Sequence, residues 1–299
     1  MEHHHHHHHH SAPAQSLNGI FILSIILNGL FVLIEAGVGL WQNSLSLLSD
    51  AGHNLSDVFS LVLVLIAFRL AKVQRNERFT YGYRKSTILI SLLNAVILLV
   101  AVGAIVIESI HKFSEPAEVN GIAVSWTAGV GILINGATAL LLMHGQKSDL
   151  NVRGAFLHMA ADTLVSIGVV ISGIIIHCTG WTIIDPIVSL VIAVVILFST
   201  WELLSDSLRL AVDGIPEGVD LHEIEQILDE NEHVKETHHI HVWAISTTET
   251  ALTAHIVIDD LSHWPQVSES LKHTLTEYGI AHATLEPETT DSHCHNREC

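Results

Sequence analysis

Between Leu17 and Ser205 the chain alternates long apolar runs with short polar ones, and beyond about Leu210 the spacing of its apolar residues changes. A helix crossing a bilayer needs about 20 mostly apolar residues. Six runs meet that need: Leu17–Leu40, Leu45–Leu70, Ser86–Ile110, Ile122–Met143, Val152–His177 and Trp181–Ser205. After them, "DLHEIEQILDEN" places Leu221, Ile224, Ile227 and Leu228 on one helix face. "VKETHHIHVWAIS" and "TALTAHIVID" alternate as strands do, "WPQVSESLKHTLTEYG" reads as a second helix and "IAHATLEPE" as a last strand. The order αββαβ fits a small open sheet with helices on one face. The pattern therefore predicts an α-helical polytopic membrane protein with six transmembrane helices and a C-terminal α/β domain. Its expected divisions are an arm at 1–16, a helical domain at 17–209, the α/β domain at 210–290 and a tail at 291–299.

Composition agrees with the pattern. The 299 residues are 49% hydrophobic and only 15% charged, with a mean hydropathy of +0.44, values ordinary for a polytopic membrane protein. The net charge of −18 is uneven: from Asp206 onward 19 acidic residues face 4 basic ones. Such an acidic domain excludes nucleic acid as a partner, which needs basic patches, and suits the gathering of cations. The even-numbered loops hold Lys72, Arg75, Arg78, Arg84, Lys85, Lys147 and Arg153, with Arg209 after the last run, whereas the odd-numbered loops hold only Lys112. The positive-inside rule then puts both termini in the cytoplasm.

The second run is interrupted by "SDAGHNLSD", with Asp50, His53 and Asp57 inside an otherwise apolar segment. Each such residue at membrane depth costs about 2.5–3.5 kcal/mol on insertion scales. His53 and Asp57 are four apart, so on a helix they stack on one face. The fifth run repeats the spacing in "HMAAD", with His158 and Asp162, and Ser166 continues the stripe. One His–Asp pair could be a satisfied polar contact between helices. Two copies on two helices make two nitrogens and two carboxylate oxygens, a set suited to tetrahedral zinc. A divalent cation held there balances the buried charge. Asp50 either orients His53 from its other ring nitrogen or caps the helix. Asn28 and Glu35 share a face of the first run, lining an aqueous cavity or making interhelical hydrogen bonds.

Nothing in the sequence signals an enzyme or an organic cofactor: H-E-x-x-H, G-x-x-x-x-G-K-[ST] and G-x-S-x-G are all absent. A catalytic zinc also keeps an open position, which four protein ligands do not leave. The remaining rival is a membrane metal sensor signalling through its α/β domain. In that domain His238, His255, Glu286 and Glu288 fall on strands, where they could converge on a second metal site or be ordinary strand residues. The opening "MEHHHHHHHH" reads equally as a purification tag or a metal-gathering arm. Three cysteines are too few for a disulfide framework, and Cys294 and Cys299 lie in a polar terminus.

Taken together, "SLLSDAGHNLSD", "FTYGYRK", "HMAADTLVSIGV", "DPIVSL", "HHIHVW" and "TAHIVI" resemble the cation diffusion facilitators, zinc-transporter-like branch, from about Leu17 to Glu288. The resemblance implies a homodimer of six-helix subunits with metallochaperone-like, ferredoxin-like cytoplasmic domains, embedded in a bacterial inner membrane. It implies export of Zn2+, or of Cd2+, Co2+ or Ni2+, in exchange for H+ by alternating access. His53, Asp57, His158 and Asp162 match the family's transport site. His238, His255 and Glu288 fall where members bind regulatory zinc, with His282 and Glu286 as alternates. The chain departs from members with a further metal site in the second cytoplasmic loop, because "NERFTYGY" has no histidine. It also lacks the long His-rich loop that other members carry before the fifth span, having only "HGQKSDLN" there.

Overall fold

The computed structural model describes residues 14–41, 45–114, 121–181 and 183–291. Six long helices come first: α1 Ala14–Trp41, α2 Leu45–Ala71, α3 Ser86–Ser114, α4 Gly121–Leu142, α5 Leu150–Thr179 and α6 Ile184–Ala211. Then follow α7 Leu221–Asp229, β1 Val234–Ala244, β2 Thr250–Ile258, a short 3-10 turn Leu261–His263, α8 Trp264–Tyr278 and β3 Ile280–Thr289. The described residues fall into two compact units, one within Met1–Leu70 and Ile90–Leu204, the other within Ala71–Leu89 and Ser205–Cys299.

The first unit is built on small residues. Phe21 of α1, Leu61 and Val64 of α2, Ala139 and Leu142 of α4, and Ala155 and Met159 of α5 form one buried cluster. Val102 of α3, Ala161 of α5 and Ala193 and Ile196 of α6 form another, so α5 belongs to both. A Cβ on Gly136 of α4 would stand 3.6 Å from Thr163 of α5, and one on Gly168 of α5 only 2.6 Å from Ile192 of α6. Lipid tails are as apolar as leucine, so close backbone approach of this kind is what holds membrane helices together. The outward surface stays apolar, with Leu133 71% and Phe198 73% exposed, as suits a surface that meets lipid or another protein rather than water.

Among the described residues three stretches are long and apolar enough to cross a membrane: Asn18–Val38, Ser86–His111 and Pro186–Ala211. Helices α2 and α5 are of matching length, at 27 and 30 residues, and α2 holds Asp50, His53, Asp57 and Arg69. Polar residues are satisfied between helices. Asn28 donates from Nδ2 to Thr138 Oγ1 of α4 at 3.1 Å and to Ser24 O at 2.9 Å. Asn54 Nδ2 donates to the buried Glu35 Oε2 at 2.7 Å. Asn28 and Glu35 are thus interhelical hydrogen-bond partners.

In the second unit the sheet order is β1-β2-β3, antiparallel between β1 and β2 and parallel between β2 and β3, with α8 as the crossover that a parallel pair requires. Asp220 caps α7 by accepting from His222 N, and Gly279, at φ 110°, ends α8 in the left-handed region that favours glycine. Ile224 and Leu228 of α7 and Val267, Leu271 and Leu275 of α8 cover Leu252, Ala254, Ile256 and Ile258 of β2. His255, between Ala254 and Ile256, therefore lies on the other face. In β1, His238 pairs with His255 and Val242 with Leu252, because three residues of β1 span two of β2 between His238 and His241. His239 takes φ 51° at this bulge. The extra residue reverses the alternation, so Val242 joins the core while His238 shares the outer face with His255.

The segment "FTYGYRK" belongs to this unit. Arg84 bonds Glu249 at 2.6 Å, Lys85 pairs with Asp213, Thr247 N donates to Thr87 Oγ1 at 3.1 Å, and Tyr81 meets His282 edge-on. Gly82 turns the chain at φ 70°, where a Cβ would stand 2.9 Å from Val73 O.

Ile256 is fully buried beside His255. Ile256→Ala should cost about 2–5 kcal/mol through the cavity it leaves. Hydrogen exchange on the full chain is the check: β2 amides should lose protection, and parental protection would contradict the core assignment.

Candidate metal centres

The α2 sequence places Asp57 one helical turn after His53, and the buried packing of α5 brings His158 and Asp162 towards it. Asp57 is 1% exposed and His158 6%. His158 Nε2 lies 2.6 Å from Asp57 Oδ1 and 3.7 Å from Asp162 Oδ2. One ligand atom from each of Asp57, His158 and Asp162 lies within 4.8 Å of the others. Three of the four expected residues are therefore together, across two helices separated by about a hundred positions in sequence. His53 is in α2, and its side chain lies outside the described residues, as does that of Asp50.

The contact at 2.6 Å is the length of a charge-assisted hydrogen bond, with Nε2–H donating to the carboxylate. Since the same nitrogen faces both carboxylates, one positive charge at that point serves all three groups. A ring protonated on both nitrogens supplies it, and so does a divalent cation bound by the neutral ring. Beside this group Asn54, the neighbour of His53, ties α2 to α1 through Glu35. No spacing rule in the sequence singles out Asn54, because its partner is on another helix.

The β1–β2 register brings the expected soluble-domain residues together as well. His255 Nδ1 is 2.6 Å from Glu288 Oε1, and His238 Nε2 is 3.4 Å from Glu288 Oε2. Neither ring nitrogen of His238 makes a hydrogen bond, although both are shut off from solvent. Buried polar atoms nearly always have a partner, so an imidazole in this condition fits a ligand set better than a packing role. His238, His255 and Glu288 offer ligand atoms within 4.8 Å of one another. Glu286 stands at the rim, its Oε2 3.5 Å from His255 Nε2 and its side chain 67% exposed. His282 is turned to Tyr81 and is not in the group. Cys294 and Cys299 lie outside the described residues.

Comparison with known proteins bears on both groups. The model of the cation efflux transmembrane domain matches residues 21–210, and that of the cation efflux protein cytoplasmic domain matches residues 216–289. A cadmium, cobalt and zinc/H(+)-K(+) antiporter of Bacillus subtilis is 35% identical over 282 residues, covering 93% of this chain and 90% of the relative. The zinc transporter ZitB of Escherichia coli is 35% identical over 272 residues, 90% of this chain and 86% of the relative. The metal cation efflux system protein CzcD of Cupriavidus metallidurans is 34% identical over 266 residues, 88% and 84% respectively.

Glu288→Gln keeps the shape of the group on β1, β2 and β3 and removes the charge that both imidazoles face. Zinc affinity at that group should fall by at least about 10–100-fold, the loss typical of altering even an outer-shell partner of metal-binding histidines. Competition against a chromophoric chelator on the full chain is the measurement, and unchanged affinity would mean that Glu288 is not a ligand.

Proposed function

The chain belongs to the cation efflux family, membrane transporters of divalent metal cations rather than enzymes, and on that premise we propose that it exports Zn2+ from the cytoplasm in exchange for H+. The observation that carries this reading is the convergence of Asp57, His158 and Asp162 from α2 and α5. We assign His53, one turn before Asp57, as the fourth ligand, which completes a His2Asp2 tetrahedral set.

All six long helices span the membrane in this reading, with α2 and α5 sheltered by the others and both termini cytoplasmic, in a bacterial inner membrane. The matched stretches support a transport domain at 17–209 and a cytoplasmic domain at 210–290, flanked by 1–16 and 291–299. The cytoplasmic domain is metallochaperone-like, pairs two subunits into a homodimer, and binds regulatory zinc through His238, His255 and Glu288. The cargoes named for the relatives support Cd2+ and Co2+ beside Zn2+, and Ni2+ follows from the same borderline ligands.

The cycle is a competition for the same side chains. Metal ligands must be deprotonated, so Zn2+ expels protons as it binds and protons weaken its hold. An imidazole with an ordinary pKa of about 6.5 is suited to both roles near neutral pH. An inward-facing state at neutral pH takes the metal. An outward-facing state at lower pH takes protons and releases it. Rocking of helices around a fixed midplane site is how secondary transporters alternate access.

Asp57→Ala and Asp162→Ala should each reduce zinc flux in proteoliposomes to background while expression and dimer assembly persist. Each change leaves the remaining buried groups without their balancing charge. Normal flux in either variant removes the core of the proposal, and would return the chain to the metal-sensor alternative. His53→Asp exchanges a borderline nitrogen for a hard oxygen. It should relax discrimination towards Cd2+ or Mn2+ while retaining flux, and selectivity as sharp as the parent's would exclude His53 as a selecting ligand.

A further inference from the structure

A third convergence lies at one end of the β1–β2 ladder. His233 immediately precedes β1 and Asp259 immediately follows β2, and Asp259 N donates to His233 O at 3.1 Å. The next turn is fixed by Asp260, whose side chain caps Ser262 N at 2.8 Å and whose carbonyl accepts from His263 N at 3.1 Å. The result is that two imidazoles address one carboxylate. His233 Nδ1 is 3.1 Å from Asp259 Oδ2, and His263 Nδ1 is 3.2 Å from Asp259 Oδ1. The two rings stack with centroids 3.9 Å apart.

We propose that His233, Asp259 and His263 form a further cytoplasmic site for a borderline divalent cation such as Zn2+, held by two Nδ1 atoms and one carboxylate with a fourth position open to water.

The three ligand atoms come from two chain segments and lie within 4.8 Å of one another. Tetrahedral zinc with bonds of about 2.0–2.1 Å keeps its ligand atoms roughly 3.3 Å apart, close to the His–Asp separations already present. The set is half open, with side chains 29%, 33% and 39% exposed for His233, Asp259 and His263. That leaves room for a water ligand and a path from solvent. The backbone bonds described above hold the three residues side by side before any ion arrives, and binding requires the stacked rings to turn their Nδ1 lone pairs onto one ion. Glu232 stands beside the outer nitrogen of His233, at 3.7 Å from Nε2, and adds to the negative potential of this rim.

This group is separate from His238, His255 and Glu288. Asp259 lies four residues beyond His255, or about 13 Å along a strand. The competing account is a purely structural His–Asp–His hydrogen-bonded triad, in which each Nδ1–H donates to Asp259. The two accounts differ in what zinc does there. The proposal stands on the geometry of this sheet end and not on the export reading.

The test uses the full chain with His3–His10 replaced by serine, in detergent micelles, stripped of metal and dialysed against buffered Zn2+. The paired change His233→Ala with His263→Ala, and separately Asp259→Asn, should each bind one Zn2+ per chain fewer than the parent. The loss should add to that from His238→Ala with His255→Ala. Equal zinc content in parent and variants would overturn the proposal and leave the structural triad. A second measurement needs no variant: carbethoxylation by diethylpyrocarbonate, mapped by mass spectrometry. Saturating Zn2+ should shield His233 and His263 in the parent, whereas modification of these two at the zinc-free rate would overturn the site even where a variant fails to fold.

Discussion

Burying ionised groups among apolar helices is costly unless their charges are matched, and the organisation of the first unit follows from that constraint at Asp57 and His158. The two meet at 2.6 Å in a place where Asp57 is almost fully buried. A carboxylate there is stable only with positive charge beside it. Close approach of the helices is therefore a condition of the chemistry. Leu61 and Val64 of α2, buried in one cluster with the small Ala155 and with Met159 of α5, supply that approach. In the export cycle we propose, the same feature that makes the group expensive makes it exchangeable, since a proton and a metal ion would satisfy it alternately.

The soluble unit solves a different problem with the same residue types. Its helices bury one face of the sheet and leave the other to polar side chains. A single extra residue between His238 and His241 sets which β1 residues go where. With strict alternation His238 and Val242 would share a face, and one of them would be misplaced. The bulge gives Val242 to the core and His238 to His255 and Glu288. The segment "FTYGYRK" is bound to this unit by Arg84 and Lys85, with Tyr81 edge-on to His282 while Phe79 and Tyr83 pack on each other.

Much of this was legible in the sequence because it depends on local periodicity. The apolar runs match the long helices closely, with α2 running Leu45–Ala71 against an expected Leu45–Leu70. The order αββαβ of the second unit follows from its alternating and amphipathic segments. The spacing H-x-x-x-D pointed to Asp57, His158 and Asp162 because i and i+4 must share a helix face. What stayed hidden depends on partners distant in sequence. Asn54 with Glu35, the reversal of faces at His239, and the use of His282 against Tyr81 are fixed by packing and register. His233 and His263 sit in turns, and they meet only because Asp259 ends the strand that pairs with β1. Spacing along the chain hints at Asp259 with His263, four residues apart, but carries no trace of His233 joining them.

The central claim is that protons and zinc compete for one buried group and are exchanged across the membrane. Sealed vesicles containing the full chain and a lumenal pH-sensitive dye test it directly. A step of external Zn2+ should drive zinc inward and protons outward, so the lumen turns alkaline at a rate that follows zinc uptake. Zinc uptake with no change in lumenal pH would contradict the account.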